Sequence, residues 1–221
     1  MKALVHTTPL YEQAYEEIRK SILRGTLKPG SKIKVGEIAE QLQISRTPLR
    51  EGLRQLQKEG LIEISKSGVI SVIELDRKDY KELCACRLVL EQAIIKLVIE
   101  EITEEQLASL EQVLQNTEKA IEENNQIELL SMNAKFHETM IHVTSNRRLI
   151  QLLEQVRSLL LIYRANILSF EGHELSILKE HWKIFEAIKN KNVDEAVAAI
   201  HEHLNQDLKR GLQTLDQLEH T

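Results

Sequence analysis

Aromatic residues are scarce in this chain, and so are the residues that interrupt helices. Phe, Trp and Tyr together make 4% of 221 residues, with 3 prolines and 8 glycines. Leu, Ile, Glu, Lys and Gln dominate instead, which argues against a predominantly β fold and for a mainly α one. There are only two cysteines, Cys84 and Cys86. They stand two apart in a helical pattern, point in different directions and cannot easily bridge, so they read as reduced core thiols. No stretch approaches the roughly 18 uninterrupted apolar residues of a membrane span. Met1 to Leu10 lacks the charged, apolar and small-residue order of a signal peptide, so the expected location is the cytoplasm, with no membrane partner.

What is present suffices for one large or two modest domains: 42% of residues are hydrophobic and 29% charged. The net charge of −5 argues against indiscriminate nucleic-acid binding, but it is unevenly placed. Residues 1–75 hold 12 basic against 9 acidic side chains, and the remainder 17 against 25. A mildly basic head on an acidic body suits a protein that brings one small module to DNA.

The head can be followed element by element. Tyr11, Ala14, Tyr15, Ile18, Ile22 and Leu23 recur at helical spacing, which predicts a first amphipathic helix over residues 8–24. Pro29-Gly30 turns the chain. A two-turn helix from about Val35 to Leu42 follows, with Ile38, Ala39 and Leu42 inward. Gln43-Ile44 makes a tight turn, and Ser45 or Thr47 can cap a third helix that tolerates Pro48 in its first turn and stops at Gly60. Leu49, Leu53 and Leu56 form its apolar stripe, while Arg46, Thr47, Arg50 and Arg54 project from the other side. Residues 61–75 then change period, with apolar runs flanking Lys66-Ser67-Gly68, and read as a β-hairpin. Helix, helix, turn, helix and hairpin make a winged helix-turn-helix. A helix fits the major groove, and Arg46 and Arg50, one turn apart, can each pair bidentately with guanine. Ser45 and Thr47 can hold phosphate or touch a thymine methyl, and Lys66 with Gly68 at the hairpin tip can enter the adjacent minor groove.

Beyond Asp76 the pattern is helical throughout, about six helices joined by short loops, which predicts an all-α antiparallel bundle. Thr103 with Gln106 is a capping box, and Asn192 with Glu195 a second. The change of architecture places the domain boundary at Asp76: a winged helix-turn-helix DNA-binding domain over 1–75 and an all-helical domain over 76–221. Within the bundle Asn133 and His137 share a helical face, His181 lies on the fifth helix and His203 on the sixth. Three imidazoles and one oxygen from three helices can hold Zn²⁺ or a similar divalent ion. His201 would point elsewhere on its helix, and Trp182 and Phe136 read as core.

LRGTLKPGSKI, followed by EIAEQLQISRTPLREGLRQLQKEGLI, resembles the DNA-binding head of GntR-type bacterial transcription regulators. The resemblance implies a homodimer on a short palindromic operator, read by Arg46, Thr47 and Arg50 with the wing assisting. Gly52 stands where alanine is common, which predicts a slightly weakened recognition helix, and the wing is short and less basic than many. The helical remainder resembles the FCD (FadR C-terminal) ligand-binding domain in NAKFH, EHWKIFEAI and AAIHEHL. That likeness implies Asn133, His137, His181 and His203 as ligands to a divalent metal, Zn²⁺ first, with Ni²⁺ or Mn²⁺ as alternatives. Many members carry Asp where this chain has Asn133, a neutral and weaker donor. Arg87, in CRLVLE, matches an arginine common near the effector cavity, and Arg164 is a second candidate. A buried arginine beside a metal favours a small carboxylate effector, although Arg87 can equally pair with Glu91 one turn on.

The leading reading is therefore an effector-responsive transcription regulator, a repressor by expectation, and not an enzyme. One alternative keeps the DNA module but makes the bundle a metal-free binder of an apolar ligand. A remoter one is a small metallohydrolase, for which neither H-E-x-x-H nor a paired carboxylate supplies the base.

Overall fold

The computed structural model describes residues 8–74, 76–167 and 172–219, with side chains described for all but 164–167 and 217–219 of these. The described residues form helices α1 (Leu10–Leu23), α2 (Val35–Gln41) and α3 (Arg46–Lys58), strands β1 (Ile62–Ile64) and β2 (Ile70–Val72), and helices α4 (Arg77–Glu101), α5 (Glu104–Glu122), α6 (Gln126–Ile141), α7 (Arg147–Ile167), α8 (Glu174–Lys189) and α9 (Val193–Glu219). The fold is mainly α, a winged helix-turn-helix followed by six helices. It divides into two units, the chain up to Tyr80 with Ser158–Asn166, and Lys81–Arg157 with the chain from Ile167 on.

In the first unit the apolar stripes meet as their spacing dictates. Ala14, Ile18 and Ile22 of α1 and Leu49, Leu53 and Leu56 of α3 are buried in one cluster with Leu61, Ile62, Ile70 and Val72. Ser45 takes the N-cap position of α3, but its side chain makes no capping bond. Gly52 contradicts the expectation of a weakened helix. A Cβ there would lie 2.9 Å from the Tyr11 carbonyl oxygen and 3.0 Å from the Tyr15 nitrogen. The missing methyl is what allows α1 and α3 to approach so closely, a packing gain that outweighs glycine's poor helix propensity.

The wing is an antiparallel pair with Ile62 opposite Val72, Glu63 opposite Ser71 and Ile64 opposite Ile70. Alternation puts Ile62, Ile70 and Val72 into the core and leaves Glu63 outside. Gly68, at φ 82°, makes the left-handed step that closes the tip, where its N–H donates to the Ser65 carbonyl. A bridge from Lys32 to Ser71 adds a short third strand that periodicity did not reveal. Residues of α7 complete this unit: Leu159 and Ile162 join its apolar cluster, and Tyr163 Oη donates to the Asp76 carbonyl at 2.9 Å.

In the second unit, Ile94, Ile95, Val98, Leu110, Leu114, Phe136, Met140, Ile184, Phe185 and Ile200 form the core of the bundle. Thr103 and Gln106 make both halves of a capping box at α5, an arrangement that contributes about 1 kcal/mol. At α9 the Asn192 side chain accepts from the Glu195 N–H, but the return contact comes from the Asn192 amide group rather than its backbone. Cys84 is only partly buried and Cys86 is exposed, so the reading of core thiols does not hold. Neither is in a disulfide. Among the described residues no helix is long and apolar enough to cross a membrane.

Candidate functional site

Two groups of residues stand out, one exposed and one buried. Ser45, Arg46, Thr47, Arg50 and Arg54 are all exposed on α3, opposite the stripe that anchors it, and Lys66 and Gly68 are exposed at the wing tip. Ser45, Arg46 and Thr47 lie at the start of the helix, where unpaired backbone N–H groups and side chains can reach phosphate and base edges together.

The buried group lies in the second unit. His137 from α6, His181 from α8 and His203 from α9 converge, each offering a ring nitrogen within 4.8 Å of the others. Their relative exposures are 0%, 0% and 1%, and Asn133, one turn before His137, is 7% exposed. His201 is exposed and contacts Asn205. Phe136 is core, but it also stacks on the His181 ring at 4.3 Å between centroids, and Trp182 packs on the core.

The hydrogen-bond pattern assigns the imidazole protons. His203 Nδ1 lies 2.8 Å from Glu180 Oε2, so in the neutral ring the proton sits there and Nε2 carries the lone pair. His137 Nδ1 faces Glu91 Oε2 at 3.5 Å, which draws the proton to that side. The two Nε2 atoms then face each other at 3.2 Å, lone pair against lone pair. Burial lowers the His137 pKa to about 3 against the pull of Glu91, so that ring does not readily take a second proton, and burial with the neighbouring histidines lowers His181 well below its ordinary value.

Three atoms here, Asn133 Oδ1 and both nitrogens of His181, are buried with no hydrogen-bond partner among the described residues, and His137 Nδ1 and Glu91 Oε2 have only their 3.5 Å approach to each other. Orphaned buried polar atoms are costly, and around converging imidazoles a cation could satisfy them. The donor set fits a divalent ion: three neutral imidazoles, one amide oxygen, and carboxylates behind two of the rings in the manner of outer-shell partners.

A charged network surrounds the histidines. Arg87 Nε donates to Glu91 Oε1 at 2.6 Å and Nη1 to Asp207 Oδ2 at 3.0 Å, while Nη2 lies 3.4 Å from His137 Nε2. Arg210 donates to both oxygens of Glu180 at 2.9 Å and to Asp207 Oδ1 at 2.8 Å. Burial alone pushes each of these groups toward its neutral form. Their mutual attraction overrides it, lowering the pKa of Glu91 and Glu180 and raising those of Arg87 and Arg210.

Arg87 thus makes the ion pair with Glu91 foreseen as its simpler role, and it also adjoins the histidines. The Arg164 side chain lies outside the described residues. Glu180, Asp207 and Arg210 were missed as site residues. A signal existed: Asp207 is one turn beyond His203, and Glu180 directly precedes His181. A small, mostly apolar cleft lined by Thr117, Leu129, Asn133, Glu174, Ile177 and Leu178 opens beside Asn133.

A winged helix-turn-helix with an exposed arginine-bearing third helix, followed by a helical bundle around buried histidines, defines a DNA-binding regulator with an appended helical domain. Residues 10–72 match the bacterial regulatory proteins of the gntR family, and residues 82–206 match the FCD domain. The chain is 38% identical over 203 residues to YdhC of Bacillus subtilis, described as an uncharacterized HTH-type transcriptional regulator, with 90% of each chain covered. It is 30% identical to the Uxu operon regulator of Haemophilus influenzae, over 92% of this chain and 82% of that one. In fold it matches Escherichia coli McbR/YncC with a TM-score of 0.78 at 22% identity, over 94% of this chain and 99% of that one. The chain belongs to the GntR family of bacterial transcription regulators and carries an FCD domain. These relatives are regulators, not enzymes, which removes the metallohydrolase alternative.

Proposed function

We propose that this DNA-binding regulator acts as a homodimeric repressor on a short palindromic operator, and that its bundle binds a divalent metal, Zn²⁺ first, together with a small organic acid. In this reading the division of labour falls at Asp76, with residues 1–75 on the DNA and 76–221 sensing and dimerising. Arg46 and Arg50 read guanines, Ser45 and Thr47 fix the helix on the phosphates, and Lys66 and Gly68 follow the neighbouring minor groove. Asn133, His137, His181 and His203 hold the ion, and Arg87 anchors the effector's carboxylate. Arg164 is assigned to the effector from sequence alone.

The observation that carries the sensor half is the set of partnerless buried donors around three converging imidazoles. Effector binding would shift the two heads by no more than the effector's differential affinity for the two arrangements.

Two measurements test this. Electrophoretic shift on the chain's own upstream DNA should be lost in the Arg46→Ala, Arg50→Ala double variant, each arginine contributing roughly 1–3 kcal/mol of base discrimination. Elemental analysis of protein purified without chelator should find about one metal per chain, absent in His181→Ala. Unchanged DNA binding defeats the first half, and equal metal content in the two proteins defeats the second.

A further inference from the structure

The three carboxylates around the histidines fall on two sides of the rings. Glu180 and Glu91 face Nδ1 of His203 and of His137, at 2.8 and 3.5 Å, so both stand behind the nitrogens that look into the cluster. Asp207 stands in front. Its Oδ2 lies 3.6 Å from His203 Nε2, the inward-facing nitrogen, and 3.0 Å from Arg87 Nη1. Helical geometry puts it there, because residues four apart on α9 share a face. Its other oxygen is held by Arg210 Nη2 at 2.8 Å, so the carboxylate is fixed from one side and presents Oδ2 to the histidines and Arg87.

An ion on the inward nitrogens would have an awkward neighbour. Arg87 is 4% exposed, and its Nη2 is 3.4 Å from His137 Nε2. Three neutral imidazoles and the neutral amide of Asn133 supply no charge to separate a dication from that guanidinium. In a poorly solvated interior, such like-charge proximity needs an anion between the two. Asp207 Oδ2 is the carboxylate oxygen that adjoins both an inward nitrogen and Arg87.

We infer that Asp207 is the anionic ligand of the metal site, a carboxylate supplied by the chain itself that bridges Arg87 and the ion. The inference rests on reading the three histidines as a metal site. It has a regulatory corollary: Asp207 holds the position in which a small carboxylate would reach both Arg87 and the metal, so such an acid binds by displacing Asp207, which Arg210 retains nearby.

The test uses the full chain with Zn²⁺, Co²⁺ and acetate as probes. Asp207→Asn keeps the shape and removes the charge, and circular dichroism checks that it folds. Competition with a chromophoric chelator should show Zn²⁺ affinity at least tenfold weaker in Asp207→Asn and abolished in His181→Ala. The visible spectrum of the Co²⁺ protein should change in band position and intensity between wild type and Asp207→Asn, reporting a lost ligand. Acetate should then perturb the Asp207→Asn cobalt spectrum at lower concentration than it perturbs wild type. If Asp207→Asn binds Zn²⁺ as wild type does while His181→Ala has lost it, the metal site stands and the Asp207 assignment is overturned. The assignment also falls if affinity drops with an unchanged cobalt spectrum, since Asp207 would then act only through Arg87. Retention of Zn²⁺ by His181→Ala overturns both.

Discussion

Arg50 and Arg87 are the same residue in opposite circumstances. Arg50 stands exposed on α3, backed by a helix face whose leucines fix its position. Arg87 is 4% exposed, with Glu91, Asp207 and His137 each facing one of its three nitrogens. A solvated guanidinium on a DNA-reading surface contributes almost nothing to folding and delivers its interaction energy to the partner. A buried one must be neutralised by the chain, so its interactions are part of the fold and only secondarily available to a ligand. The DNA head and the histidine pocket therefore respond differently to mutation: the first loses binding and keeps stability, the second loses stability first.

The largest expected effect breaks this contrast at its buried end. Arg87→Met leaves Glu91 without its main counter-charge and takes from Asp207 one of its two arginines. Removing one partner of a buried pair costs about 3–5 kcal/mol, and urea denaturation would read the loss directly. Arg50→Ala, at an exposed position, should stay within about 0.5 kcal/mol of wild type. Equal stabilities for the two variants would mean that the buried network is replaceable by water and that the comparison is wrong.

How far each region can be read from sequence follows the same division. The head is a contiguous pattern: Leu49, Leu53 and Leu56 state one face of α3, and the arginines between them state the other. The six later helices and the Thr103 cap are equally local. The pocket is assembled from α4, α6, α8 and α9, and periodicity says which residues share a face but not which faces meet. Asn133 and His137 were visible as an i, i+4 pair. Glu91 entered only as a helical partner for Arg87, and Asp207, Glu180 and Arg210 not at all, because their meaning depends on α9 lying against α4 and α8. The Lys32–Ser71 bridge and the place of residues 158–166 of α7 in the first unit are likewise tertiary. Gly52 was misread for a related reason, since propensity is a property of one helix and close approach is a property of two.

Gly52 sharpens the comparison from inside the head, because it shows that the stable part of the DNA-binding module is its hidden face. Gly52→Ala gains up to about 1 kcal/mol of helix propensity. The added methyl meets backbone atoms of α1, which cannot step aside as a side chain would. Overpacking of this kind costs typically about 1–3 kcal/mol. The net expectation is a lower midpoint in thermal or urea unfolding, with weaker operator binding only where the unfolded fraction becomes appreciable. A more stable Gly52→Ala protein would show that α1 and α3 can separate at little cost.

The smallest effect is expected at the wing, the most exposed part of the head. Lys66 is exposed at a tip closed by Gly68, and Glu63 and Ser71 are paired on the outward side of the same hairpin. A lysine there contacts phosphate or the minor-groove edge as a point charge, without the fixed fork that lets Arg50 discriminate bases. Lys66→Ala should leave unfolding unchanged and weaken binding to all DNA sequences alike. The informative quantity is the slope of log K against log salt, which should become shallower by about 0.9, the signature of one phosphate contact removed. If base preference changes while the salt slope does not, the wing reads sequence, and Lys66 belongs with Arg46 and Arg50 rather than with the backbone contacts.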